Sequence, residues 1–599
     1  MKLFARTAAA IAAVCLCCAG LSSAAASSGS QVAIDIDTKS GRKAISPYIY
    51  GINGDIMNND VMAGSIRAGG NRYTGYNWEN NASNAGEDKE HISDSYLIDR
   101  IPAQQQSVPG AVALDLSDVC AAKNNAYSLM TLQMGGYAAA DMNGAVTADE
   151  KAPSDRWVKV EPAKGAEFSM EPDQSDGVVY MDEFVNYLVN TLGDATTERG
   201  IKGYSLDNEP SLWRSTHPRI HPEPCGCVEL IDKSVALAKA VKAVDPNAEI
   251  FGPALFGYSA FNNFLAPEDW DDVRYNGDYE WFVDYYLDEM KKAEDEAGMR
   301  LLDVFDVHYY TEAKGPCGER SCTHFNDQGC VNARMDSPKS LWDENYQEDS
   351  WITDTGARFF PLIPKLKASI DKFYPGTKLA FTEYDFGATF DVTGAMAEAE
   401  ALGVFAENEI YFASLFCMRA GYQTAAIDLF TNYDGNGSGF GNTLVSCTHD
   451  NDVLTSAYAA INDENEDAVT LVIMNKSITD TTTASIRIND GEEYGYVHLY
   501  GINDLDAQVF DMTDSNSAIT LSGGTITYEM APRTLSLLYI SKEKPVGTAA
   551  QNNAESLGSA EKKEDDKSGS KAGVIAGAAA GAAAIAAVGV VTGRKKKKN

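Results

Sequence analysis

Two glutamates stand out by where the chain delivers them. One ends the run Ile201-Lys-Gly-Tyr-Ser-Leu-Asp-Asn-Glu209, where an apolar strand closes in Asp207-Asn208-Glu209 and Pro210 stops the ladder. The other sits in Lys378-Leu-Ala-Phe-Thr-Glu383-Tyr384-Asp385, again a carboxylate at the C-terminal end of an apolar strand. Two carboxyl groups that meet can divide acid and nucleophile work: one protonates a leaving oxygen while the other attacks or supports an oxocarbenium-like carbon, as glycosidic bond cleavage requires. The acid needs a raised pKa, which partial burial and nearby negative charge supply. Each carboxylate taken singly could instead cap a following helix or bind a cation.

The neighbours extend this reading. Asn208 offers an amide to a sugar hydroxyl beside the reacting carbon. His308-Tyr309-Tyr310 ends another strand, from which His308 or Tyr310 could hold a nucleophile ionised; a satisfied polar layer at that level is the alternative. Trp78, Trp213, Trp342 and Trp351 fall in Gly-, Asn- or Asp-rich loops, where an aromatic face can carry a sugar ring or simply pack under the loop. Tyr384, beside Glu383, is a further candidate substrate contact.

The two glutamates can meet only if their strands run parallel and share an end. From residue 50 to 451, strand candidates such as Tyr127–Gln133, Ile201–Leu206, Glu249–Phe251, Leu302–His308 and Leu379–Thr382 alternate with helical stretches Met181–Leu192, Glu229–Val244, Glu280–Ala297 and Pro361–Phe373. That alternation predicts an α/β protein with a closed (β/α)8 TIM-like barrel, whose active sites lie at the strands' C-terminal ends. Over 452–541 the runs Val469–Met474, Ser485–Ile488, Tyr496–Tyr500 and Leu535–Ile540 lack intervening helices and predict an additional all-β sandwich domain. The alternating run Val32–Ile36, within 27–49, is expected to add a strand to that sandwich.

The chain has 599 residues, 44% hydrophobic and 10% aromatic, which is ample for a large core. A formal charge of −37 repels phosphates and anionic lipid headgroups, so no nucleic acid partner is expected and a neutral polymer suits the surface better. Residues 1–26 read as a signal peptide: Lys2 and Arg6, an apolar run from Ala8 to Leu21, then Ala24-Ala25-Ala26. Residues 542–571 read as a flexible linker, 572–592 as a weakly hydrophobic transmembrane helix and 593–599 as a basic cytoplasmic tail. The expected location is therefore the cell surface, with the catalytic domain outside. Cys225, Cys227, Cys317, Cys322 and Cys330 cluster in two loops; one or two disulfides between those loops are expected, with a structural zinc as the rival.

Long strings then carry a resemblance: GGNRYTGYNWENNASNAG at 69–86, GYSLDNEPSLWRSTHPRIHPE at 203–223, SLWDENYQEDSW at 340–351, PGTKLAFTEYDFG at 375–387 and TNYDGNGSGFG at 431–441. Over about residues 31–541 the chain resembles glycoside hydrolase family 44. The resemblance implies a (β/α)8-like barrel with a β-sandwich. It also implies a retaining endo-β-1,4-glucanase or xyloglucanase with Glu209 as acid/base and Glu383 as nucleophile, acting on xyloglucan or β-glucan without a required cofactor. Some members act on xylan or mannan, and some bind a structural calcium, for which no residues here are assigned. A non-catalytic glycan-binding protein on the same fold is the contrasting expectation. The chain departs from the family pattern at His308-Tyr309-Tyr310, where His-Trp-Tyr is expected, and at Phe416, near which a Trp is expected.

Overall fold

The computed structural model describes residues 29–316, 318–320, 328–513 and 518–545. The segments read as signal peptide and transmembrane helix, and most of the linker, lie outside the described residues, as do Cys317 and Cys322. Among the described residues no helix is long and apolar enough to cross a membrane.

Strand β1 (Ser30–Asp37) comes first and belongs to the large sheet taken up below. The chain then lays down eight barrel strands: β2 (Gly51–Asn53), β3 (Ser65–Ala68), β4 (Tyr127–Leu132), β5 (Gly203–Leu206), β6 (Glu249–Leu255), β7 (Val304–Tyr310), β8 (Lys378–Asp385) and β9 (Phe412–Leu415). They close in the order β5-β6-β7-β8-β9-β2-β3-β4, each parallel to its neighbours. Helices α1 (Ala111–Ala122), α2 (Met181–Leu192), α3 (Cys227–Val244), α4 (Phe282–Ala297), α5 (Leu362–Phe373) and α6 (Val392–Glu407) connect β3 through β9, and α7 (Tyr422–Thr431) follows β9. The predicted barrel is therefore present. The floor of its interior is an apolar layer of Tyr127, Leu129, Phe251, Val304, Ala380 and Phe412. Polar side chains lie further along the same strands, toward their C-terminal ends.

The second sheet holds β10 (Thr443–His449), β11 (Thr455–Asn462), β12 (Asn465–Asn475), β13 (Thr482–Ile488), β14 (Tyr496–Asn503), β15 (Asp506–Asp511), β16 (Ile519–Ser522), β17 (Thr525–Met530) and β18 (Thr534–Ser541). Its path runs β15-β14-β18-β12-β11-β10-β1-β13-β17-β16. Residues from both halves of that path, including Ile34, Ile486 and Ile526 with Leu471, Leu499 and Leu538, share one apolar core, so the sheet doubles over on itself. β1 sits mid-path, antiparallel to β10 and parallel to β13. The sheet starts at Thr443, nine positions before the expected residue 452; Ser446 and Thr448 break the apolar alternation of β10 and conceal it.

Helix α6 seats the sheet on the barrel. Its residues from Val392 to Ala406 are all buried, and a Cβ at Gly403 would lie 2.4 Å from the Tyr458 ring. The sheet's other face, with Tyr458, Val472 and Leu537, joins the barrel's own apolar core.

Candidate active site

Four strand ends build the site. β3 supplies Arg67, the turn after β5 supplies Asn208 and Glu209, β7 supplies His308 and Tyr310, and β8 supplies Glu383. Strict alternation along β8 would place Glu383 on the opposite face from Ala380 and Thr382. A register shift intervenes: Val307 pairs with Phe381, but His308 pairs with Glu383. Thr382 is the extra residue of this bulge, which re-aims Glu383 inward, beside His308. The inward-facing Thr382 hydroxyl donates to Asp306 at 3.0 Å.

Glu209 is positioned by the backbone. Asp207 and Glu209 both hold left-handed φ angles, +62° and +46°, which non-glycine residues adopt only when surroundings impose them. The imposing group is the Asp207 carboxylate. It accepts from the Thr74 hydroxyl at 2.5 Å, the Asn208 N–H at 2.8 Å, the Gly135 N–H at 2.9 Å and the Met134 N–H. The Glu209 N–H in turn donates to the Ala254 carbonyl at 3.1 Å.

His308 Nδ1 lies 2.8 Å from Glu209 Oε1 and 3.4 Å from Glu383 Oε2. Nδ1 is thus the atom through which His308 meets both carboxyl groups. Tyr310 donates to Glu383 Oε2 at 2.6 Å. Arg67 donates from Nη1 to Glu383 Oε1 at 2.6 Å and from Nη2 to Asn208 Oδ1 at 2.7 Å. The guanidinium is wholly buried, and a Cβ at Gly69 would stand 2.4 Å from its Cζ; glycine there leaves it room.

These contacts split two buried carboxyls. Burial raises Glu209, and the nearby Glu383 charge adds to that; the His308 hydrogen bond opposes both without reversing them. Burial alone would also raise Glu383. The attraction of His308 and Arg67, with hydrogen bonds from Tyr310 and Arg67, overrides it and holds this carboxyl below its ordinary value. One group is thus kept ready to give a proton and the other ready to act as an anion. Glu209, His308 and Glu383 each present one atom within 4.8 Å of the others, so the three could also hold a cation. Arg67 already neutralises Glu383, which leaves little net charge for one.

The remaining candidates divide. Trp78 is fully buried, stacked on Phe184 at 5.1 Å, and is no sugar platform. Trp213 is also fully buried; its indole N–H donates to the Asn208 carbonyl at 3.2 Å, so it supports the turn from beneath. Tyr384 points outward to α6, where its hydroxyl donates to Glu398; alternation resumes after the bulge, so the neighbour of the inward-facing Glu383 is turned away from substrate. Trp342 and Trp351 are 37% and 39% exposed, so both keep a free face. Cys225 and Cys227 are buried thiols without a disulfide, which overturns the expected bridge from their loop. Arg67 was not foreseen. Its signal was an arginine inside an apolar strand followed at once by Gly69-Gly70.

A family model described as Glycoside hydrolase family 44 matches residues 72–313. Endoglucanase A of Paenibacillus lautus is 46% identical over 510 residues, covering 84% of this chain and 71% of the relative. The beta-mannanase/endoglucanase A of Caldicellulosiruptor saccharolyticus is 44% identical over 488 residues, 79% of this chain; the chain spans 36% of that longer protein. Among solved structures, a Paenibacillus polymyxa xyloglucanase of the same family, with xyloglucan, is 44% identical with a TM-score of 0.82, covering 86% of this chain and all of that one.

Proposed function

The chain belongs to glycoside hydrolase family 44, and from that premise we propose that it hydrolyses the β-1,4-linked backbone of xyloglucan and related β-glucans with retention of configuration. The observation that carries the reading is the sharing of His308 Nδ1 by Glu209 and Glu383. Their facing oxygens lie within 4.8 Å, short of the roughly 6.5–9.5 Å that an inverting enzyme needs for an interposed water.

Glu383, ionised, attacks the anomeric carbon. Glu209, protonated, gives its hydrogen to the departing oxygen. His308 Nδ1 meets Glu209 Oε1 at 2.8 Å, which leaves Oε2 to carry the proton. Once the aglycone leaves, Glu209 is a carboxylate and draws a proton from the water that releases the sugar. Asn208, held by Arg67, offers its amide nitrogen to a sugar hydroxyl. Two carboxylates perform this chemistry without a cofactor. Glu383→Ala is expected to abolish turnover of a β-glucan, and azide to restore it with an inverted glycosyl azide product. Near-wild-type activity of Glu383→Ala sinks the assignment. Product analysis on xyloglucan, carboxymethyl cellulose, xylan and mannan fixes the backbone.

We further propose export through residues 1–26 and anchoring at the cell surface through 572–592. The support is the apolar run and the basic cluster behind it. Deleting residues 572–599 is expected to move the protein from the membrane fraction to the medium; full-length protein found free in the medium refutes the anchor.

A further inference from the structure

The loop that follows the nucleophile strand, 386–391, carries a large apolar side chain with nothing packed on most of it. Phe390 is 77% exposed. The loop lies at the C-terminal ends of the barrel strands, the face that holds Glu209 and Glu383. The next loop along the mouth, after β9, presents Met418 at 64% exposure. The two loops are joined: the Tyr422 N–H donates to the Thr389 carbonyl at 2.9 Å, and a Cβ at Gly421 would lie 2.2 Å from that oxygen.

The loop is also held from the second sheet. Arg533, in the turn before β18, donates from Nη2 to Asp391 at 2.9 Å and to Asp504 at 2.9 Å. Asp391 is the residue after Phe390, and its other oxygen accepts from the Thr393 N–H at 3.0 Å to cap α6. Asp504 precedes Leu505, which is 84% exposed. One guanidinium therefore ties together two carboxylates whose chain neighbours are among the most exposed large apolar side chains of the described residues. Ala388 and Arg533, at the two ends of this clamp, both keep left-handed φ angles, +61° and +53°. Strain of this kind persists where the surroundings hold it.

We propose that Phe390 is a sugar-ring platform that extends the cleft beyond the reacting residue toward the barrel–sheet seam, and that Arg533 is the positioning residue that fixes its loop. The occupant is the substrate chain itself, a neutral β-linked glycan. The loop is continuous with the nucleophile strand, so a polymer threaded past Glu383 meets it without a separate site. A β-linked pyranose offers a flat face of C–H groups that lies on an aromatic ring, and a loop held in advance loses little freedom on binding. The inference rests on the β-glycan reading above.

The test compares kcat/KM on polymeric xyloglucan with kcat/KM on an aryl cellobioside, which fills few subsites. Phe390→Ala is expected to lower the polymer-to-aryl ratio about five- to twenty-fold, and Phe390→Trp to bring it back. Arg533→Met is expected to lower the same ratio by a smaller factor, chiefly through KM on the polymer, and Asp504→Asn, which leaves the Asp391 pair in place, by less again. Retardation in native gels containing xyloglucan reads binding without turnover and should weaken in the same order. The platform is overturned if Phe390→Ala leaves both the ratio and the retardation within about two-fold of wild type while the wild type cleaves the polymer. A wild type that neither cleaves nor is retarded by any β-glucan overturns the functional reading, and the platform with it.

Discussion

Glu383 and Glu398 are both shut away from water, on opposite sides of β8. Glu383 faces the barrel interior, where Arg67, His308 and Tyr310 meet it and hold it ionised. Glu398 lies on α6 behind the same strand, with the Tyr384 hydroxyl on one oxygen. The other oxygen has no partner, and burial pushes this carboxyl up to about 8. Equal burial thus gives an anion in one place and a neutral acid in the other. What separates them is a buried cation and a second donor, not the depth of the site.

The sharpest way to break this contrast is to remove the cation. Arg67→Met should turn Glu383 toward Glu398's condition. Activity at neutral pH is expected to fall about 10²–10³-fold. The acid limb of the kcat/KM profile should move to higher pH, because Glu383, the proposed nucleophile, is then ionised only above a raised pKa. An unmoved limb would show that His308 and Tyr310 suffice. Tyr310→Phe removes one donor and keeps the cation. A loss of about ten-fold with a smaller shift of that limb in the same direction is expected, since a hydrogen bond to a charged group contributes about 1.5–3 kcal/mol.

Glu398→Gln probes the other side and should leave turnover nearly unchanged. Its effect is on stability against pH. The Glu398 carboxyl ionises near 4.5 in the unfolded chain and about 8 in the fold, so the folded state holds the extra proton between those values. This group's stabilisation is complete below about pH 4.5 and is lost as pH rises through 8. The variant's thermal midpoint should therefore fall less steeply than wild type between pH 5 and 8. Parallel curves would show that Glu398 is not the group responsible.

The barrel was legible because its longer strands and helices carry strong periodic signals, and five of the eight strands show plainly. β2, β3 and β9 are three or four residues long and unmarked; β5 is as short, but the run from Ile201 and the Asp-Asn-Glu-Pro that closes it mark its place. Glu209 and Glu383 were legible as strand-end carboxylates. The bulge at Thr382 was not, because an extra residue leaves no mark in composition, and alternation counted along β8 would have turned Glu383 away from the site. Trp78 and Trp213 misled for a related reason. Polar loop composition suggests exposure, yet both loops fold over their indoles. Arg67 went unread because an arginine within an apolar strand reads as an interruption until its partners, supplied by two distant strands, are known.

The placement of β1 has a consequence for how this chain can be made and cut. Asp35 and Thr448, bonded across the sheet, are 413 positions apart. At a synthesis rate of roughly 5–20 residues per second, β1 waits on the order of 20–80 s before β10 and β13 exist to flank it. During that interval Val32, Ile34 and Ile36 are an unpaired apolar edge, open to pairing with another chain. Truncation at residue 442 would make that interval permanent: it removes every partner of β1 and leaves the sticky strand attached to the barrel. A barrel intended to stand alone has to lose residues from both ends.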